Sequence, residues 1–304
     1  MEIQTLTFQL VNGLTMGGVY AVIALGYTLV YGILFMINFA HGEIFMVGSF
    51  TGYVILTLFM EVGLIDSYLV PSLIVAFIGA MVVSSVLGVT VERVAYRPLR
   101  KAPRLAPLIS AIGTSIFLQN LVMLIVKARM KIYPDIFPHG TVDIGEISIS
   151  YMRLFIIFAS IVMMLGLYLY IKRTKTGKAM RAVAEDKDTA SLMGIDVNRI
   201  ISHTFFIGSA LAGAAGVMVG LYYTQIDHMM GFVPGIKAFT AAVLGGIGNV
   251  PGAMLGGYFL GFAEVIGIQF LPAEYKDLIA FSLLVLVLIF RPRGILGEVV
   301  SERA

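Results

Sequence analysis

The chain has 304 residues, of which 59% are hydrophobic and only 13% charged, with a formal net charge of +3. A soluble domain of this length needs more charge to cover its surface, so a mean hydropathy of +0.93 excludes a soluble enzyme or binding module. Cysteine is absent, which excludes disulfides, thiolate metal sites and thiol chemistry. The basic excess raises nucleic acid as a partner, but a bias of Lys and Arg toward one membrane face accounts for it without one.

In chain order, the opening MEIQTLT carries no Lys or Arg, so it lacks the basic region of a cleavable signal peptide and the first span is expected to be retained. Apolar runs follow at about 8–30, 44–60, 69–91, 106–126, 152–171, 200–223, 236–248, 252–271 and 278–290. They do not alternate as barrel strands do. The expected fold is all-α: a polytopic helical membrane protein of about eight to nine membrane segments, forming one domain over residues 1–304 with membrane lipid around it. The run 236–248 is short for a full crossing and reads as a half-helix or re-entrant segment, and 31–43 is ambiguous in the same way.

Charge orients these segments. Loop 92–104, loop 172–199 and the tail after 290 together hold fifteen of the 21 Lys and Arg residues, which places them and the C-terminus on the cytoplasmic side. With nine crossings the N-terminus lies outside. Loop 127–151 is the longest on the exterior face. Pro134, Pro138 and Gly140 mark turns in it, Val142 to Ile149 alternates as a short ribbon, and Asp135, Asp143 and Glu146 offset its basic residues.

Between the two halves lies KRTKTGKAMRAVAEDKDTASLMGIDVNR, Lys172 to Arg199. Gly177 to Met193 reads as one helix with Met180, Val183, Ala190 and Met193 on one face, stopped by Gly194. It is either a docking element for a soluble partner or a solvated linker.

Small residues recur every four positions at Gly208, Ala212, Gly216 and Gly220, and pair at Gly13/Gly17, Gly252/Gly256 and Gly257/Gly261. They let backbones approach closely, either within the subunit or against a second one. Only two carboxylates, Glu43 and Glu264, fall in or beside a predicted span, where ionisable groups are costly. Glu43 closes the polar break Asn38-Phe39-Ala40-His41-Gly42-Glu43. That break either lines a cavity or is an interfacial loop whose carboxylate starts a helix. A second break runs from Gly245 through Gly248 and Asn249 to Gly252. Both contain an Asn followed by a Gly, hinting at an internal repeat.

Enzymatic motifs are missing. There is no HExxH, GxSxG or Walker A, and His41 with Glu43 has no cysteine to complete a deaminase-type metal site. His139, His203 and His228 are scattered. No cofactor or catalytic residue is expected, and any work from ATP must be done on another chain.

Three stretches carry a resemblance: Gly17–Glu43 (GGVYAVIALGYTLVYGILFMINFAHGE), Ala182–Ile195 (AVAEDKDTASLMGI) and Lys237–Gly257 (KAFTAAVLGGIGNVPGAMLGG). With them the chain resembles LivH-type permeases of branched-chain amino acid ABC importers over nearly its whole length. The resemblance implies a multi-pass subunit of the cell inner membrane. It implies a homologous, LivM-like permease partner, two cytoplasmic ABC ATPases and an extracytoplasmic substrate-binding protein. It makes Gly177–Gly194 the coupling helix that docks on the ATPases, with Arg181, Glu185, Asp186, Asp188, Ala190 and Gly194 as its coupling residues. The pathway is expected near Asn38, His41 and Glu43 and near Gly248 and Asn249. Related permeases carry urea, short amides or other amino acids, so these are the alternative cargo. A stand-alone secondary transporter or channel is the rival class, and two marginal carboxylates support it thinly.

Overall fold

The computed structural model describes residues 3–103, 105–138, 140–144 and 147–297. Arg104, His139, Glu146 and Arg303 lie outside the described residues. The helices are α1 (Ile3–Leu34), α2 (His41–Glu61), a one-turn α3 (Leu64–Ser67), α4 (Leu69–Val91), α5 (Leu105–Val126), α6 (Tyr151–Arg173), α7 (Lys175–Glu185), α8 (Lys187–Leu192), α9 (Val197–Tyr223), α10 (Phe232–Gly245), α11 (Val250–Gly267) and α12 (Lys276–Phe290). Seven of them are long and apolar enough to cross a membrane, which makes this a polytopic helical membrane protein. The strands are minor. β1 (Lys131–Ile132) pairs antiparallel with β4 (Gln225–Ile226). β2 (Thr141–Ile144) and β3 (Ile147–Ser150) form the expected ribbon, with Val142 opposite Ile149.

The bundle has two ends. One carries the β2–β3 hairpin, the other α7 and α8. α1 and α9 form the centre, with 83% of their most apolar windows buried, against 22% for α5 and α6 at the periphery. α1 packs on α11, α9 packs on α4 and α2, and α1 and α9 pack on each other.

Glycine allows these contacts. A Cβ on Gly216 would meet the backbone of Phe45 and Ser49, one on Gly257 the backbone of Ala21, and one on Gly261 that of Gly17. Gly208 faces Gly26, and Gly220 faces the Tyr133 ring. The small-residue stripes are therefore spent on packing within the subunit.

An internal repeat is present, in a different alignment from the one the sequence suggests. α1 runs toward the α7–α8 end, and the chain turns back through 35–40. α2 then starts with His41 against Gly26 of α1 and runs toward the hairpin end. α9 runs toward the hairpin end, the chain turns back through 224–231, and α10 runs the opposite way to α2. The two helix starts meet inside the bundle, Gly42 against Gly231. α4 packs on α2 and α9 as α11 packs on α10 and α1, so the α1–α2–α4 and α9–α10–α11 units are related with reversed direction. The break around Asn38 thus corresponds to 224–231 and not to Gly245–Gly252. α10, with 14 residues, spans only about 21 Å and is the half-helix that its short apolar run predicted.

Two further expectations change. The cytoplasmic segment is two helices, not one: Asp186 leaves the helical conformation at φ −156° and starts α8. Buried carboxylates also extend past Glu43 and Glu264. Glu92, read as a loop residue, is buried in a π-helical turn (Glu92–Tyr96) that continues α4.

Candidate translocation pathway and coupling segment

Where α2 and α10 begin, the structure brings Asn38, His41 and Glu43 together. All three are buried. The Tyr96 hydroxyl donates to Asn38 Oδ1 at 2.6 Å and holds the 35–40 break against the end of α4. The His41 ring packs edge-on to Tyr27, with centroids 4.6 Å apart. Glu43 Oε1 accepts hydrogen bonds from Gln119 Nε2 at 2.7 Å and Ser115 Oγ at 3.1 Å, both on α5. Its other oxygen, Oε2, has no hydrogen-bond partner among the described residues and lies against Gly231. Both neighbouring helix starts place positive dipole ends near this carboxylate, which favours negative charge there.

Ser115, Gln119, Tyr27, Gly42 and Gly231 also line a cavity of about 310 Å³ whose walls are mostly apolar, including Ile112, Ile116, Phe232 and Phe239. Ile37 lines it at the α7–α8 end and also lines a larger cavity of about 890 Å³ that includes Arg100 and Lys187. Met229 lines it at the hairpin end and also lines a third cavity of about 390 Å³ that includes Tyr20, Asp227, Lys237, Lys276 and Asp277.

That third cavity sits on a charge cluster. Lys237 Nζ lies 2.9 Å from Glu264 Oε1 and 2.6 Å from Asp277 Oδ1. Lys276 Nζ is 3.4 Å from Glu264 Oε2, which also accepts from the Tyr20 hydroxyl at 2.9 Å. Two cations and two anions compensate one another. Sequence reading found Glu264 but missed Lys237, which stands in an otherwise apolar run. Its charge was the available signal.

Gly248 and Asn249 are placed elsewhere. Asn249 caps α11 by accepting from Gly252 N, and its Nδ2 donates to the Leu296 carbonyl. Gly246, at φ +107°, lies against Gly297. This break is packed by the C-terminal segment at the α7–α8 end, and Gly248 sits beside Gly32 at the end of α1.

The coupling segment is built on caps. Thr174 accepts from Gly177 N to start α7. Asp186 Oδ1 accepts from Asp188 N and Thr189 N to start α8, while its Oδ2 accepts from the Thr189 hydroxyl. Gly194, at φ +82°, ends α8, with Ile195 N bonded to Ala190 O and Gly194 N to Ser191 O. That pair of bonds needs the left-handed residue glycine supplies.

Met180, Val183 and Ala190 are buried as expected, but Met193 is 79% exposed beside Leu192 at 87%. Glu185 and Asp188 are exposed. Arg181 turns back to donate to the Ile171 carbonyl of α6. Lys187 points inward: its Nζ lies 5.7 Å from the centre of the Phe35 ring, and burial, then the charge of Arg100, pushes its ammonium below the usual lysine range. Arg100 is in turn ion-paired with buried Glu92 and donates to Asn198 Oδ1. Removing the Asp186 cap with Asp186→Ala should cost about 1 kcal/mol of α8 stability, while Asp186→Asn should cost little. Faster amide exchange in Asp188–Leu192 of the alanine variant alone checks this.

The architecture is that of a polytopic helical membrane protein with two inward-turned helix starts and a capped two-helix elbow at one end. The family described as "Branched-chain amino acid transport system / permease component" matches residues 9–288, and the chain belongs to it. The chain is 53% identical to the high-affinity branched-chain amino acid transport system permease protein BraD of Pseudomonas aeruginosa, over 97% of each chain. It is 47% identical to the LivH permease protein of Escherichia coli, over 97% of this chain and 96% of that one. To the probable branched-chain amino acid transport permease protein LivM of Methanocaldococcus jannaschii it is 27% identical, over 72% of this chain and 68% of that one.

Proposed function

We propose that this chain is a permease subunit of an ABC importer that carries branched-chain amino acids into the cell. The observation that carries the reading is its near full-length likeness to permeases named for that transport. In this reading it pairs with a homologous LivM-like permease in the inner membrane. Two cytoplasmic ATPases use the ATP, this chain takes no cofactor, and an extracytoplasmic binding protein delivers the amino acid to the hairpin end. The α7–α8 end and the C-terminus are cytoplasmic. The basic residues Arg93, Lys101, Lys178, Arg199, Arg291 and Arg293 fit that orientation.

The ATPases dock on α7 and α8. Leu192 and Met193 offer them apolar contact, Glu185 and Asp188 offer charge, and Arg181, Asp186, Ala190 and Gly194 fix the shape of the elbow. ATP binding moves the elbow, and the difference in stability between ATPase states shifts the pathway between outward- and inward-facing forms. Asn38, His41 and Glu43 belong to that pathway. Gly248 and Asn249 take part as the joint between α10 and α11 beside the elbow.

Uptake of radiolabelled leucine tests this in cells lacking only this chain and any redundant system. Wild type should restore uptake. Glu185→Arg, inserted at equal level, should lower it at least severalfold. Uptake unchanged by the deletion would overturn the leucine assignment and direct the same assay to urea and short amides.

A further inference from the structure

The three cavities form a series, and the residue shared at each junction lies on one of the two turned-back loops. Ile37, on 35–40, lines both the 890 Å³ and the 310 Å³ cavities. Met229, on 224–231, lines both the 310 Å³ and the 390 Å³ cavities. These loops are counterparts in the inverted repeat, so reversing the roles of the two halves exchanges one junction for the other. Inverted repeats of this kind are a common structural basis for alternating access.

We propose that the central cavity is the substrate chamber of this subunit. It accepts the aliphatic side chain of a small amino acid, with Met229 as its exterior gate and Ile37 as its cytoplasmic gate. The amino-acid part rests on the function proposed above. At about 310 Å³ the chamber is at the small end of ligand pockets, which run to roughly 1,000 Å³. Ile112, Ile116, Phe232 and Phe239 give it an apolar wall that excludes a polar side chain. Its polar side chains are few: the Tyr27 hydroxyl beside Gly235, and, at one edge, Ser115 and Gln119, which stand in front of Glu43. The Glu43 carboxylate is 1% exposed and keeps one oxygen without a hydrogen-bond partner among the described residues. A substrate ammonium placed at that edge meets the Ser115 hydroxyl and the Gln119 amide oxygen, with the Glu43 carboxylate next behind them. The substrate carboxylate meets the positive starts of α2 and α10. The side wall between α5 and α10 is open in the single chain, and the second permease subunit covers it in the proposed assembly.

The gates differ in kind. Met229 is a flexible thioether, 59% exposed, that can swing aside. Ile37 is carried by a loop under constraint: Phe35 sits at φ +54°, unfavourable for a side-chain-bearing residue, with the Lys187 ammonium over its ring. Lys187 is the first residue of α8. Movement of the elbow therefore reaches the cytoplasmic gate through one contact, and the Tyr96–Asn38 hydrogen bond holds the far side of the same loop.

The chain has no cysteine, so single thiols can report on the chamber. Ser115→Cys, at a lining position only 6% exposed, would be placed in the assembled complex in membrane vesicles of both orientations. The readout is modification of this chain by a charged, water-soluble methanethiosulfonate, with and without leucine. Adding Met229→Gly should raise the modification rate from the exterior by about tenfold, and Ile37→Gly should do so from the cytoplasmic face, because each opens a closed thiol to the reagent. Neither gate residue is buried, so both variants should still assemble. Leucine should slow modification.

Rates unchanged by either glycine variant, or no modification from either face in any nucleotide state, would overturn the chamber even where leucine uptake depends on this chain. Gate-dependent modification without leucine protection, where uptake does not need the chain, would keep the gates and overturn the occupant.

Discussion

Lys237→Met or Glu264→Gln alone should destabilise the protein by about 3–5 kcal/mol, and the two together should recover most of that loss. Each single change leaves the cluster one charge out of balance around groups with little access to water, since Glu264 is fully buried and Lys237 is 4% exposed. The pair removes one charge of each sign and leaves Lys276 with Asp277. Each single effect should fall toward the lower end of the range. Lys276 stays 3.4 Å from Glu264 after the first change, and Asp277 stays 2.6 Å from Lys237 after the second. Thermal unfolding of the detergent-solubilised complex reads the three variants. Additive losses would mean that the pair is not energetically coupled.

The second large effect lies at the helix crossings. Gly216→Val and Gly257→Val should each cost about 4 kcal/mol or more, enough to abolish a monodisperse complex, because the new atoms meet neighbouring backbone that cannot yield. Gly166→Ala is the control. Nothing lies within 4 Å of a Cβ at Gly166, so the change should be neutral or mildly stabilising through helix propensity. Size-exclusion profiles of the extracted protein separate these outcomes. A well-behaved Gly257→Val would show that the stripes do not hold the subunit together.

Local regularities of the fold were legible in the sequence, and features made by distant residues were not. Apolar runs located the helices because a segment that must satisfy its own backbone in lipid can hardly be anything else. The stop at Gly194 and the presence of a short half-helix followed from residue type and length, although the run expected at 236–248 forms Phe232–Gly245. The start of α8 did not, because Asp186 reads equally as a helix residue until its side chain is seen capping the next turn. Lys237 and Glu264 were separately visible as charges. Their pairing with each other, and with Tyr20 at a separation of 244 residues from Glu264, exists only in three dimensions. The repeat shows the same limit. Asn and Gly in two breaks suggested one alignment, whereas helix direction and the Gly42–Gly231 contact give another. Of the expected pathway residues, Asn38, His41 and Glu43 converge because one short break carries them, and Gly248 and Asn249 stand apart because the tail packs their break.

The most direct measurement is ATP-dependent uptake of leucine into proteoliposomes. These would hold the two ATPases and the partner permease, with the loaded binding protein outside, and this chain either included or left out. The account predicts uptake only when the chain is included, and its loss when hydrolysis is blocked. Leucine accumulation at the same rate without the chain, or with the chain but independent of ATP and of the binding protein, would contradict it.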